Sequence, residues 1–259
     1  MHDPVILTIV FIFGIAFGSF LNVAIYRLPL GKSLLKPRSS CPHCGAAIGV
    51  MENIPVVSYI MLRGRCSHCA AGISPRYLIV EILGGLLTAF AVYYFGLNVK
   101  GLETALLSLA FIAIFFIDLD HNIIPDFFTL PGVVIGFAVS LVPGAFVIWS
   151  QSLFGILIGA GAFFLIRIMG KMIFKKEALG LGDVKFAAML AAFVGWQSLL
   201  LVLVLASLFG SVAGIALICL SGRGRKSYIP FGPFLVIGAW ISIYFGDSII
   251  RAYLDLVGL

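Results

Sequence analysis

Two aspartates have the residue type and spacing to activate a water molecule. Asp183 lies in the stretch Gly180-Leu181-Gly182-Asp183-Val184-Lys185, and Asp118 ends an apolar run 65 residues earlier. A carboxylate at the mouth of a membrane-embedded helix is costly, so it usually has a partner or a function. If two such carboxyls come within about 4 Å of each other, charge repulsion keeps them from ionising together. One is then protonated while the other is ionised, which is the arrangement of an aspartic protease.

The glycines before Asp183 suit that chemistry. Gly180 and Gly182 carry no Cβ, so a substrate backbone can approach closely and the chain can adopt positive φ as it enters a helix. The alternative interpretation is a glycine-rich loop between helices, followed by an aspartate that caps the next helix. The residues of this stretch alone leave both interpretations open.

Several charged residues near the two aspartates have competing interpretations. Asp120 competes with Asp118 for the catalytic role, while Asp126 follows a helix-terminating proline and is expected to be a cap or first-turn acid. Lys185 could favour the ionised form of Asp183 through its positive charge, or it could bind a lipid phosphate. All of these are candidate supporting or substrate-binding residues, together with Gly180 and Gly182.

Glu81 is a further acidic residue in an apolar setting. It lies early in the second apolar segment, five residues after Arg76. It could bind a substrate amine or a cofactor, or it could form an ion pair at the membrane interface or a hydrogen bond between helices.

Composition indicates which elements position these residues. The chain has 259 residues, of which 61% are hydrophobic and 11% charged, and its mean hydropathy is +1.15. These values predict an all-α polytopic membrane protein with no room for a large soluble domain. The eight predicted apolar segments are roughly 5–27, 77–96, 103–118, 127–148, 152–172, 184–196, 198–220 and 232–250.

Two of the predicted segments lead to the aspartates. Segment 103–118 ends at Asp118 and segment 184–196 begins next to Asp183, and both are short for a membrane span. The first segment has neither a basic region before it nor a small-residue cleavage site. We therefore expect it to be a retained span and not a signal peptide.

The basic residues predict the orientation in the membrane. Of the 17 Lys and Arg residues, 15 fall in three regions that lie on one side if there are eight spans, which leaves Lys100 and Arg251 opposite. By the positive-inside rule, that side is cytoplasmic, both aspartates lie at the cytoplasmic face and both termini are outside. The net charge of +6 is thus explained by membrane topology, and no nucleic-acid partner is expected.

Two cysteine pairs predict a metal site in the polar loop 28–76. Cys41 and Cys44 form one C-x-x-C pair, Cys66 and Cys69 form another, and 21 residues separate the two pairs. This spacing is typical of a four-thiolate zinc knuckle, and a reducing cytoplasm favours metal over disulfides. Four protein ligands leave no open position, so the zinc is expected to be structural.

The other cysteine and the glycine repeats have simpler interpretations. Cys219 is expected to pack in segment 198–220 as a small apolar residue. His43 and His68, inside the two cysteine pairs, are expected not to be ligands. The Gly-x-x-x-Gly spacings Gly14/Gly18, Gly155/Gly159 and Gly210/Gly214 are expected to mark close helix packing.

Taken together, the motifs resemble the type IV prepilin peptidases, bifunctional leader peptidase/N-methyltransferases of the Gly-x-Gly-Asp aspartic protease class. The resemblance covers nearly the whole chain. Its pieces are Gly18-Ser19-Phe20-Leu21-Asn22-Val23, Arg27-Leu28-Pro29, Cys41-Pro42-His43-Cys44, Glu52-Asn53-Ile54-Pro55, Arg63-Gly64-Arg65-Cys66, Ser74-Pro75-Arg76-Tyr77, Asp118 through Pro125-Asp126, Gly180 through Lys185, and Pro230-Phe231-Gly232-Pro233.

The resemblance implies eight spans, a cytoplasmic zinc-binding loop after the first span, and catalytic roles for Asp118 and Asp183. The implied organisation is a first helix at 1–27, a zinc-knuckle domain at 28–76 and a seven-helix peptidase domain at 77–259. The implied substrates are prepilins and pseudopilins, cleaved after the glycine that ends a short basic leader. S-adenosylmethionine would then methylate the new N-terminus, and the enzyme would reside in the bacterial inner membrane among its lipids.

Two functions of other classes remain as alternatives. An ion- or proton-coupled transporter also uses carboxylates inside the membrane, but no repeated half is evident and the aspartates cluster at one face. A zinc-knuckle scaffold protein would use the aspartates only as helix caps, and it would not need their charge for any activity.

Overall fold

The computed structural model describes residues 3–175, 179–221 and 229–258. Within these ranges the chain is helical, and its β-structure consists of two isolated bridges, Ser40 with Ala47 and Arg65 with Gly72. The α-helices are α1 (Pro4–Arg27), α2 (Val57–Met61), α3 (Pro75–Phe95), α4 (Val99–His121), α5 (Asp126–Val139), α6 (Trp149–Phe174), α7 (Leu181–Ser221) and α8 (Gly232–Val257). Four of the basic residues used to predict orientation, Lys176, Arg223, Arg225 and Lys226, lie outside the described residues.

Six helices of the described ranges, α1, α3, α4, α6, α7 and α8, are long and apolar enough to cross a membrane. This confirms the prediction of an all-α, multi-pass membrane protein. The count of eight spans stays a prediction. α5 has only 14 residues, and α7 is one 41-residue element interrupted at Gly195, which has φ 78° and ψ 171°. That interruption lies where the sequence predicts the boundary between segments 184–196 and 198–220.

One predicted segment is clearly longer than the helix it contains. The apolar run 127–148 forms a helix only to Val139, and Ser140 caps it. The next residues include Pro143, which cannot donate a helical hydrogen bond, and Gly144 at φ 92°. Hydropathy alone could not detect this end, because the residues after it are also mostly apolar.

The chain divides into two compact units, 1–113 and 114–259. In the first unit α1 packs along α3, and the contact depends on glycines. A Cβ on Gly18 would lie 2.7 Å from Cα of Glu81, and a Cβ on Gly84 would lie 2.5 Å from the carbonyl oxygen of Gly14. The close packing predicted for Gly14 and Gly18 is therefore confirmed.

Local signals in the sequence account for where α1 and α3 begin. Asp3 accepts the N–H of Val5 at 2.9 Å and Ser74 accepts the N–H of Arg76 at 3.3 Å, and each cap is followed by proline. The N–H of the first helical residue has no intrahelical acceptor, so proline, which lacks that group, is well tolerated there. The polar cap and the proline together predict where each helix begins. The polar loop with the cysteines lies between these two helices.

In the second unit α7 packs against α5, α6 and α8. Its first half is almost entirely buried, from Val184 through Phe193. A Cβ on Gly155 of α6 would lie 2.6 Å from the carbonyl oxygen of Ala191, so the packing predicted for that glycine is confirmed. A Cβ on Gly210 or Gly214 would meet only ordinary contacts at 3.5 and 3.7 Å, so close packing does not require glycine there.

Candidate active site and metal centre

The first aspartate of the site, Asp118, lies three residues before the C-terminal end of α4. Its side chain is buried, and Oδ2 accepts the backbone N–H of Gly232 at 2.9 Å. Gly232 is the first residue of α8, where a helix has N–H groups without intrahelical acceptors. A Cβ at position 232 would lie 2.5 Å from that same oxygen. The start of α8 therefore meets the carboxylate through a residue that needs to be glycine.

The second aspartate, Asp183, is the third residue of α7 and is also buried. Its Oδ2 accepts the N–H of Gly180 at 2.9 Å, so the side chain reaches back to the residue before the helix. This is the acidic half of a capping box, in which a side chain at the third position caps the N-terminal backbone. Asp183 therefore stabilises the N-terminus of its own helix. It does so from the third helical position, and not as the N-cap residue that the alternative interpretation expected.

Both aspartates lie in the second unit, and both are buried. Asp120, two residues further along α4, is exposed instead. Because residues two apart on a helix point to different faces, only Asp118 of these two can share a buried site with Asp183.

A residue of the loop between α4 and α5 packs against the glycines next to both aspartates. Ile124 is buried in this loop, and its Cβ would be 3.0 Å from a Cβ placed on Gly182. Its Cδ1 would be 3.2 Å from a Cβ placed on Gly232. One side chain thus packs on the glycine beside Asp183 and on the glycine that donates to Asp118.

Two of the predicted supporting residues bind each other. Nζ of Lys185 lies 2.7 Å from both carboxylate oxygens of Asp126. Asp126 is in the first turn of α5, as the sequence predicts, and Lys185 is in the first turns of α7. The ion pair therefore joins the starts of two helices beside the site, and 34% and 55% of the two side chains are exposed.

Sequence reasoning missed two residues of this site. Gly232 belongs to the Pro230-Phe231-Gly232-Pro233 motif, and a glycine between two prolines at a helix start is a usable signal for a required backbone approach. Ile124 is one apolar residue among many, and nothing in the sequence distinguishes it.

The four predicted metal ligands form a cluster in the first unit. The Sγ atoms of Cys41, Cys44, Cys66 and Cys69 all lie within 4.8 Å of one another. The Sγ atoms of Cys41 and Cys69 are 3.8 Å apart. Zn–S bonds of about 2.3 Å in a tetrahedron place two sulfurs about 3.8 Å apart, so the cluster fits such a metal ion. Neither histidine of the motifs belongs to it.

The two halves of the cluster share one backbone design. The Cys41 N–H donates to the carbonyl of Ala46 and the Cys66 N–H to that of Ala71, at 2.9 and 2.8 Å. Each turn returns through a residue of positive φ, Gly45 at 72° and Ala70 at 57°. The loop thus forms two similar knuckles, each presenting two thiols.

The knuckles bias their first thiols toward the thiolate that binds metal. Backbone N–H groups of Cys44 and His43 lower the pKa of Cys41 to about 6. The N–H of Ala71 lowers the pKa of Cys69. Burial and the hydrogen bonds to the other three thiols outweigh it and raise that pKa to about 12. A bound cation would favour the ionised form of all four thiols, and the cluster can hold one.

Two known protein families match parts of the chain. Residues 12–95 match the Bacterial Peptidase A24 N-terminal domain, and residues 105–215 match the Type IV leader peptidase family. No solved structure matches the chain significantly.

Curated relatives match over nearly the full length. A protein of Aeromonas hydrophila named prepilin leader peptidase/N-methyltransferase is 39% identical over 95% of this chain and 93% of its own. Proteins of the same name from Stutzerimonas stutzeri and Pseudomonas aeruginosa are 35% and 37% identical, over 96% and 95% of this chain and 93% and 92% of their own. With its buried aspartates and four-cysteine cluster, the chain therefore belongs to the type IV leader peptidase family.

Proposed function

We propose that this protein cleaves the leaders of type IV prepilins and pseudopilins and methylates the N-terminus that cleavage exposes. The observation that supports the peptidase activity best is the pair of buried carboxyls from α4 and α7. Each uses its Oδ2 to accept one backbone N–H, from Gly232 or Gly180. Backbone N–H groups thereby hold both carboxyls in place.

The mechanism follows from one proton shared by two carboxyls. The ionised aspartate takes a proton from a water molecule while the protonated one donates a hydrogen bond to the scissile carbonyl. The water oxygen attacks the carbonyl carbon, and the tetrahedral intermediate then releases the new amine as the proton passes to nitrogen. A peptide bond that follows glycine suits this site, because glycine unwinds a helical substrate at low cost.

The proposed location is the cytoplasmic face of the bacterial inner membrane, with both termini outside. The basic loops support this orientation, since seven of the 17 basic residues lie in the stretch from Arg27 to Arg76, with both ends counted. The ion that the cysteine cluster would hold is zinc in a structural role, because four thiolates complete its tetrahedral coordination. S-adenosylmethionine would supply the methyl group for the second activity.

The deciding experiment is mass spectrometry of a prepilin incubated with the purified protein in lipid, with and without S-adenosylmethionine. Loss of the leader in both reactions, and the added mass of one methyl group only with S-adenosylmethionine, would support both activities. Leader loss without methylation would limit the function to the peptidase. No processing of several prepilins by folded protein would refute the proposal and favour the transporter or scaffold alternative.

A further inference from the structure

The first unit contains a buried carboxylate that the peptidase mechanism does not use. Glu81 lies on the membrane helix α3 and is 8% exposed. Its Oε2 accepts the N–H of Val56 at 2.7 Å, which is its one hydrogen bond within the described part of the chain, and it has no ion pair there. A carboxylate inside a membrane helix without a cationic partner marks a functional site by default, and its natural ligand is a cation.

The backbone that contacts Glu81 is strained. Val56 has φ 62° and ψ −52°, and the N–H of Val57 donates to the carbonyl of Pro55 at 2.6 Å. This is a γ-turn with positive φ, a rare conformation that is especially unfavourable for a β-branched residue. Strained backbone is found preferentially where a ligand is held, so it is an independent indication of a site.

The packing of α1 and α3 directs Glu81 towards this loop. Gly18 of α1 packs directly on the Glu81 backbone. One turn away, buried Asn22 donates from Nδ2 to the carbonyl of Tyr77 at 2.9 Å. The polar side chains of Asn22 and Glu81 therefore lie in successive turns of the α1–α3 contact. Both are close to the N-terminal end of α3, where the polar loop joins that helix.

We propose that Glu81 binds the α-ammonium group of a cleaved pilin and takes its proton, so that the amine can be methylated. This inference rests on the proposed methyltransferase function and names a residue for it. An ammonium group cannot attack a methyl group because it has no lone pair. Once its proton passes to the Glu81 carboxylate, the free amine attacks the methyl carbon of a sulfonium donor. A C–N bond forms, the C–S bond breaks, and the donor leaves as a neutral thioether.

The competing explanation is that Glu81 only anchors the Val56 turn to α3. Glu52 shows such an anchor in the same loop, because its carboxylate accepts the N–H of Gly49 at 2.9 Å and the hydroxyl of Ser67 at 2.5 Å. Glu52 is the matched control, since it binds backbone and hydroxyl groups in the loop and lies on no membrane helix.

The test variant is Glu81→Gln, whose amide oxygen can still accept the Val56 N–H but cannot take a proton. On a synthetic pilin peptide that already starts at the cleaved position, we expect methylation to fall about 100-fold or more. Cleavage of full prepilin should stay within about twofold of wild type. Glu52→Gln should leave both rates near wild type.

A binding measurement gives a second readout that does not depend on turnover. Wild type should bind the peptide with a free N-terminal amine more tightly than the same peptide with an acetylated N-terminus. In Glu81→Gln that preference should disappear. A variant that methylates like wild type, keeps the preference, or loses cleavage and methylation equally would overturn the proposal. Wild type that processes no prepilin would refute the proposed function instead, and the binding comparison would still decide the role of Glu81.

Discussion

At the scale of single residues, the site depends on backbone N–H groups as much as on carboxyls. Asp118 and Asp183 could be predicted from their motifs, and Asp118 could be separated from Asp120 only by the resemblance. The sequence could not show which glycines donate their backbone N–H to the aspartates, because glycines are frequent in this chain, with 29 in all. Which glycine has no room for a Cβ depends on what lies opposite, and sequence does not show that.

Replacing either aspartate by asparagine should abolish cleavage. In Asp118→Asn or Asp183→Asn the new amide would keep the shape and the accepted N–H but could not exchange a proton, so we expect kcat to fall at least about 100-fold. Prepilin processing followed by mass spectrometry measures this. Asp120→Asn is the control and should stay within a few-fold of wild type. Full activity in a well-folded Asp183→Asn variant would favour the scaffold alternative.

Adding one methyl group at Gly232 should also impair cleavage. In Gly232→Ala the new Cβ would meet Asp118 Oδ2 at 2.5 Å, so the carboxyl or the start of α8 must move. A displacement of about 1 Å at a reacting group can cost up to about 100-fold in rate. The control is Gly161→Ala, because no atom lies within 4 Å of that Cβ. Equal kcat in the two variants would contradict the positioning role of Gly232.

At the scale of elements, helix N-termini converge on the aspartates. α8 begins at Gly232, which donates to Asp118, and α7 begins one residue after Gly180, which donates to Asp183. α5 begins at the ion-paired Asp126. Helix N-termini carry partial positive charge and so stabilise nearby carboxylates. The sequence predicted where each of these helices begins to within a few residues, but it could not show that the three starts meet.

The Lys185–Asp126 pair should support the rate of cleavage more than the stability of the fold. Exposed pairs contribute at most about 1 kcal/mol to stability, yet this one joins the starts of α5 and α7 beside the site. We expect Lys185→Gln or Asp126→Asn to lower kcat about tenfold with little change in melting temperature.

The exchanged double variant Lys185→Asp, Asp126→Lys tests whether the pair itself matters. It should recover part of the lost kcat, because the attraction between α5 and α7 is restored with opposite polarity. If Asp126 instead binds the basic leader, the exchange will not restore activity and the single variants will raise KM.

The cysteine cluster should be needed for a folded loop. We expect the purified protein to contain about one zinc per chain, measured by elemental analysis. Cys41→Ser or Cys66→Ser should lower both the zinc content and the yield of folded protein, because a small polar loop has little core without the metal. Cys219→Ser is the control and should change neither. Active protein without zinc would contradict the assignment.

At the scale of the whole molecule, hydropathy and charge predicted the class of protein and most helix positions. The interruption at Gly195 lies within two residues of a predicted boundary, since apolar content dips at Gly195-Trp196-Gln197. The early end of α5 was missed because its cause is backbone geometry at Pro143 and Gly144 and not a change in polarity. The division of the chain at 113 within α4 has no signal in the sequence.

Eight spans would place both termini on the outer side, and a reporter fusion tests this. A reporter that is active only in the periplasm should be active when fused after residue 258, and a reporter inserted in loop 28–76 should report the cytoplasm. An odd number of crossings would instead place the C-terminus inside. That result would show that α5, or one half of α7, does not span the membrane.

Ile124 has a consequence for how relatives of this enzyme can diverge. Its side chain fills the space that a side chain at position 182 or 232 would need. A side chain at position 182 would meet the Cβ and backbone of residue 124, and one at position 232 would also meet Asp118 Oδ2, so a smaller residue at 124 does not by itself make room at either glycine. Among natural sequences, positions 182 and 232 should therefore both stay glycine whichever apolar residue stands at 124, even though 182 is 58 positions after 124 and 232 is 50 positions after 182.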